Sequence, residues 1–251
     1  MKPTNPLLIL TLAIAALLTV GVACDSRNTS NENTSAGNTV TQAPATPAAP
    51  AVSKNIAGAY NATGTNVDGG SQYKADLTVT PRDEVYQFSW ASGGQSYDGV
   101  GVMTDNTVAV AYTEGTNGNG CGVVLYKINA DGSLDGKSGY WGVNSAETEK
   151  AVRTKGSDLE GNYDITGTNP DGKKYDGKLA VGKSGDGYTF AWTAGSSFEG
   201  FGVKTGDKVA VGFGGNQCAF VSYEVKPDGT LDGKWGGKGS KKFGTEVAKK
   251  K

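Results

Sequence analysis

The stretch Cys121–Lys137, CGVVLYKINADGSLDGK, returns as Cys218–Lys234, CAFVSYEVKPDGTLDGK. The match is one part of a longer duplication. GAYNATGTNVDGGSQY from Gly58 aligns with GNYDITGTNPDGKKY from Gly161, and YQFSW from Tyr86 aligns with YTFAW from Tyr188. GVGV at Gly99 matches GFGV at Gly200, and VAV at Val108 matches VAV at Val209. The two copies are collinear and cover 56–152 and 159–248. Each has the size of a small domain that can bury a core of its own. A chain built this way must fold the same pattern twice.

Within each copy the pattern is strand after strand. Tyr86, Phe88 and Trp90 alternate with Gln87 and Ser89, and Tyr188, Phe190 and Trp192 alternate with Thr189 and Ala191, a period of two with one aromatic face. Turn-forming clusters interrupt these runs at short intervals: NVDGG, SGG, TDN, GTNGNG and NADG in the first copy, NPDGK, KSGDG, GGN and KPDG in the second. Glycine, at 39 residues, is abundant because such turns are frequent. The spacing predicts about eight strands per copy. An antiparallel meander with short hairpins closes most simply into an up-and-down barrel, which leaves no exposed edge. An immunoglobulin-like sandwich is the alternative, but it needs longer crossovers than these turns supply. The fold class is therefore all-β, with two tandem antiparallel barrel-like domains, 56–152 and 159–248.

A different chemistry precedes them. Lys2 and the apolar run Leu7–Ala23 read as a signal peptide over 1–23, with Gly21 and Ala23 where a signal peptidase reads small residues. Cys24 follows at once, and this arrangement resembles a bacterial lipobox, which implies a lipid anchor on Cys24 and plain secretion as the alternative. Residues 24–55 are rich in Asn, Thr, Ser, Ala and Pro, and are expected to form a disordered tether.

The repeat pattern GxYxxxGTNxDG, YxFxW, GxGV, VAV, CxxVxYxVxxDGxLxGK resembles repeats in uncharacterised bacterial envelope lipoproteins, some labelled fibronectin-binding. It is also distantly similar to avidin- and lipocalin-type barrels. Gly58-x-Tyr60 and Gly161-x-Tyr163 stand where lipocalins place Gly-x-Trp. The resemblance implies a membrane-anchored envelope protein that binds a partner.

Histidine is absent, which removes Ser-His-Asp and Cys-His nucleophiles and histidine metal sites. With Cys24 lipidated, Cys121 and Cys218 form an even pair in an oxidising compartment. Bonding would require the two domains to meet near both strand starts, so two separate, partly buried thiols are the first reading and a disulfide the second. Both cysteines lie on the opposite strand parity from Val124, Tyr126 and Ile128 and from Val221, Tyr223 and Val225.

Asp131 with Asp135 and Asp228 with Asp232 resemble calcium loops faintly, but two carboxylates fall short of the ligand set, and Asp-Gly signals a turn. No metal or cofactor is expected. Acidic residues recur at Asp98, Glu147, Glu149, Glu199 and Glu246 with nothing to show that any two converge, so no catalytic residue is assigned. Residues 56–152 carry 5 basic and 11 acidic groups, whereas 159–251 carries 14 and 11, a polarity that could aim the second unit at anionic partners. Nucleic acid is not expected for an exported chain.

Tyr60, Phe88, Trp90, Tyr163, Phe190 and Trp192 either fill the barrels, the simpler reading, or line ligand pockets. The expected function is non-enzymatic binding of a protein or glycan at the cell envelope. Binding of a small apolar ligand is the alternative, and a carboxylate-dependent enzyme the third.

Overall fold

A computed structural model describes residues 55–118, 120–215 and 217–251. The readings for 1–23, for Cys24 and for the tether fall almost wholly outside these residues.

The described chain is β throughout, apart from one 3₁₀ turn at Val67–Gly69. The first copy supplies β1 Gly58–Thr65, β2 Gln72–Arg82, β3 Val85–Ser92, β4 Gln95–Thr104, β5 Thr107–Glu114, β6 Cys121–Ile128, β7 Leu134–Tyr140 and β8 Glu147–Ser157. The second supplies β9 Glu160–Thr168, β10 Lys174–Ser184, β11 Gly187–Ala194, β12 Ser196–Thr205, β13 Lys208–Gly214, β14 Ala219–Val225, β15 Leu231–Gly237 and β16 Gly244–Lys250. Two closed, antiparallel, eight-stranded barrels result. Asp131, Asp171 and Asp228 each accept the backbone N–H two residues on, which locks the turns that the Asp-Gly pairs announce.

The barrels do not coincide with the copies. Barrel 1 consists of β1–β5 closed by β14–β16, and barrel 2 is the continuous run β6–β13. The expectation that 56–152 and 159–248 each fold into a barrel is thereby corrected: each copy gives five strands to one barrel and three to the other. The physical reason is that β6 and β14 carry the same pattern, so either can continue a sheet that ends in β5 or β13. In the structure Val110 of β5 pairs with Val221 of β14, and Val211 of β13 pairs with Val124 of β6. In chain order, barrel 2 is inserted between the fifth and sixth strands of barrel 1.

Burial on both faces marks these strands. In β5, Val108, Val110 and Tyr112 point into barrel 1, while Ala109 and Ala111 face the neighbouring barrel. In β6, Val124 and Tyr126 point into barrel 2, while Cys121, Val123 and Leu125 face outward to the same layer. That layer also holds Val85, Val100, Val102 and Ala210, with Phe201, Val203, Phe220 and Phe243 in a second patch. Burying each valine, leucine or phenylalanine of these patches is worth about 1.5–3 kcal/mol, which fuses the barrels into one body. Lys208 adds a polar tie from barrel 2, 3.0 Å from Asp105 in the β4–β5 turn of barrel 1.

The chain passes between barrels twice, after β5 and after β13. Each passage ends in a hydrogen-bonded turn, Cys121 N–H to Gly118 and Cys218 N–H to Gly215. Cys121 and Cys218 are joined there in a disulfide, with Cα atoms 5.7 Å apart. The reading of two separate thiols is corrected: the passages bring the strand starts together about a local pseudo-twofold.

The charge polarity of the two halves also dissolves. Barrel 1, 56–118 with 217–251, holds 10 basic and 11 acidic residues, and barrel 2, 121–214, holds 11 and 12. Each has a net charge of −1, because the lysine-rich end is sewn into the acidic barrel. Lys249 and Lys250 belong to β16, which pairs with β1, and Lys251 lies 2.6 Å from Asp76.

Candidate functional site

Each barrel holds a buried glutamate set between two glycines. In barrel 1, Glu246 on β16 stands opposite Gly64 on β1 and Gly233 on β15. The missing side chains matter, because the Tyr73 and Tyr223 rings lie over them. A Cβ on Gly64 would stand 2.5 Å from Tyr73 Oη, and one on Gly233 would collide with the Tyr223 ring. Both phenols thereby reach the carboxylate. Tyr73 Oη donates to Glu246 Oε2 at 2.8 Å, Tyr223 Oη donates to Oε1, and Trp90 Nε1 donates to Oε1 at 3.1 Å.

Barrel 2 repeats the device with the parts exchanged. Glu149 on β8 stands opposite Gly136 and Gly167, which carry the rings of Tyr126 and Tyr175. Tyr175 Oη donates to Oε2 at 3.0 Å, Tyr126 Oη donates to Oε1, and Trp192 Nε1 lies 3.4 Å from Oε1. In both barrels the glutamate comes from one copy and the tryptophan from the other. Neither site exists within a single copy.

The electrostatics make these phenols fixed donors. Burial, then the charge of the neighbouring glutamate, drives Tyr126 and Tyr223 well above the ordinary phenol range, and Tyr73 and Tyr175 follow for the same reasons. Burial raises Glu149, while its hydrogen bonds from Tyr126, Tyr175 and Trp192 pull the other way. These protonated phenols donate hydrogen bonds and do not take up protons at ordinary pH.

Above the glutamates the barrels part. In barrel 2, Phe198 stacks on Trp192 at 5.0 Å, and Phe213 packs 5.5 Å from Phe198 and 5.2 Å from Tyr140. Barrel 1 has Tyr97, Tyr112 and Gly237 at these three places, so the ring of Tyr140 has no counterpart. Ser138 and Glu147 of barrel 2, joined by a 3.2 Å hydrogen bond, are replaced in barrel 1 by Trp235 and Gly244. The mouth of barrel 1 is a cavity of about 680 Å³. Its walls include Tyr73, Trp90, Tyr97, Tyr112, Tyr223 and Trp235, and Glu246 lies among them. Trp235 Nε1 is buried there with no hydrogen-bond partner among the described residues. At the rim Tyr97 Oη donates to Gln95, whose amide donates to Glu114.

The residues singled out in the sequence divide accordingly. Trp90 lines the cavity, and Trp192 joins the matching network in barrel 2. Phe88 and Phe190 are fully buried beneath them, each stacked against its tryptophan at 5.6 Å. Tyr60 and Tyr163 form the opposite ends of the cores, where their hydroxyls donate to the carbonyls of Ile56 and Leu159. Glu147 and Glu149 lie on one inward face of β8, Glu199 is exposed beside Lys238, and Asp98 is buried.

The reading of the sequence missed Tyr73, Tyr97, Tyr112, Tyr223 and Trp235. Part of the signal was present, since the glycines of GTN and LDGK recur in both copies together with a later Thr-Glu pair. No protein-family model, curated protein or solved structure matches the chain.

Proposed function

We propose that barrel 1 is a non-enzymatic binding site for one small organic ligand, on a protein held at the bacterial envelope through Cys24. The observation that carries the reading is the aromatic-walled cavity of about 680 Å³, in the volume range of small-molecule sites. A few placed polar groups, Glu246 at depth and Gln95 and Glu114 at the rim, suit orientation of such a ligand. The protein or glycan reading has less to stand on. Among the described residues the exposed large hydrophobics are Val143 and Val152, and the lysine-rich half is divided between two barrels that each have a net charge of −1.

The four tryptophans supply the test. The full chain, labelled with ¹⁵N, is titrated with benzyltrimethylammonium, its uncharged carbon isostere neopentylbenzene, and phenylacetate. Saturable, one-per-chain shifts of the Trp90 and Trp235 indole signals, with Trp141 and Trp192 unmoved, support the assignment. Absence of such shifts with all three solutes overturns it.

A further inference from the structure

We propose that the ligand of barrel 1 is an organic cation, an ammonium group carried on an apolar body; this rests on the small-ligand reading above. Three features of the cavity converge on that chemistry. Six aromatic side chains, Tyr73, Trp90, Tyr97, Tyr112, Tyr223 and Trp235, stand around one space. The faces of such rings carry negative electrostatic potential, and tryptophan and tyrosine are the rings on which alkylammonium groups bind best.

The charged groups share the same sign. Glu246 and Glu114 line the cavity, and none of the described residues lining it is Lys or Arg. Glu246 is 4% exposed, and all three of its described hydrogen-bond partners donate to it, so the carboxylate enters as an acceptor and an anion. A negative charge at that depth is screened little by salt and draws a cation inward. An anion would meet two carboxylates with no compensating base, so a phosphate-bearing headgroup is disfavoured. A neutral ligand would leave the field of Glu246 unused.

Barrel 2 supplies the contrast. It has a similarly hydrogen-bonded glutamate, but Phe198, Phe213 and Tyr140 pack together over Trp192. The recognition chemistry is therefore assigned to barrel 1 and not to the repeat as such.

The three titrations of the full chain also decide this point. Benzyltrimethylammonium is expected to bind at least tenfold more tightly than neopentylbenzene, and phenylacetate more weakly than either. E246Q is expected to lose tenfold or more in affinity for the cation and less than threefold for the neutral isostere. E114Q, an exposed rim change, is expected to lose twofold to threefold for the cation. A preference for the cation below tenfold, or tightest binding of the isostere or of phenylacetate, overturns the inference while leaving a small-ligand site in place. Failure of all three solutes overturns both. The comparison of solutes uses the wild-type chain, so it stands even where E246Q does not fold.

Discussion

Barrel 1 and barrel 2 have the same strand order, the same Gly–Glu–Gly row and the same Tyr, Tyr and Trp donors, yet only barrel 1 has a small-molecule-sized cavity described at its mouth. The difference lies in a handful of side chains above an unchanged base. Where barrel 2 has Tyr140, barrel 1 has Gly237, and where barrel 2 pairs Ser138 with Glu147, barrel 1 packs Trp235 over Gly244. A duplicated scaffold can thus keep its buried polar core for stability and vary its mouth for recognition. The glutamate cluster is then a structural element in both barrels and, in the function proposed for barrel 1, a recognition element in one.

The largest perturbation of this comparison is removal of the disulfide. The bridge spans 97 residues, a loop for which chain-entropy arguments give about 4.7 kcal/mol. The Cys121→Ser, Cys218→Ser double variant is expected to lose about that much in urea unfolding. Hydrogen exchange should speed up more at the β5–β14 pairing of barrel 1 than at β8–β9, which one hairpin holds in barrel 2.

Next come the buried glutamates. Glu149→Ala leaves the buried Tyr126 and half-buried Tyr175 hydroxyls of barrel 2 without their acceptor, while Trp192 Nε1 keeps the Tyr126 oxygen, and is expected to cost about 3 kcal/mol. Glu246→Ala should cost about 1 kcal/mol, because water entering the cavity can accept from the freed donors. Equal losses in the two denaturation curves would show that the barrels do not differ in this respect.

A smaller effect separates them by pH. Burial raises Glu147 and Glu149, both in barrel 2, above the ordinary glutamate value of 4.5. Between the unfolded and folded values the native state therefore binds more protons than the unfolded chain, and stability falls as pH rises through that window. Their favourable contribution is complete below the unfolded value and is lost above the folded one. Urea midpoints measured at about pH 5 and about pH 8 should show this decline. Glu149→Gln should flatten it, and an unchanged slope would assign the pH dependence elsewhere.

The smallest expected change in stability comes from copying one mouth onto the other. Tyr97→Phe, Tyr112→Phe, Ala219→Gly and Gly237→Tyr together give barrel 1 the rings of barrel 2 over a bare backbone position. Stability should stay within about 1 kcal/mol, since buried area replaces cavity. Titration with benzyltrimethylammonium should then no longer move the Trp90 and Trp235 signals.

Much of this architecture could be read from the residues. The alternation in YQFSW and YTFAW, the Asp-Gly turns and the outward parity of Cys121 all reappear as expected. The exchange of strands could not be read, because β6 and β14 offer a neighbouring strand nearly the same inward face. No local property changes when one replaces the other. The near-continuous apolar runs Val108–Ala111 and Cys121–Tyr126 were the available hint, since a barrel strand facing water on one side should alternate. The disulfide was misjudged for the same reason: the sulfurs meet only because the chain changes barrels just before them. Glu246 meets Tyr73, Trp90 and Tyr223 from three distant segments, and nothing in their sequence spacing brings them together.

The insertion of barrel 2 within barrel 1 sets an order of assembly. A chain appearing from its N-terminus presents β1–β5 first, with the outer edges of β1 and β5 both unpaired. Barrel 2 can close on itself once β13 has emerged. The five waiting strands find their last partners only when β14–β16 arrive, and Tyr60 then pairs with Lys250. During that interval the open edges of an apolar half-barrel are the segment most exposed to mispairing with a second chain, and the part on which a chaperone would act.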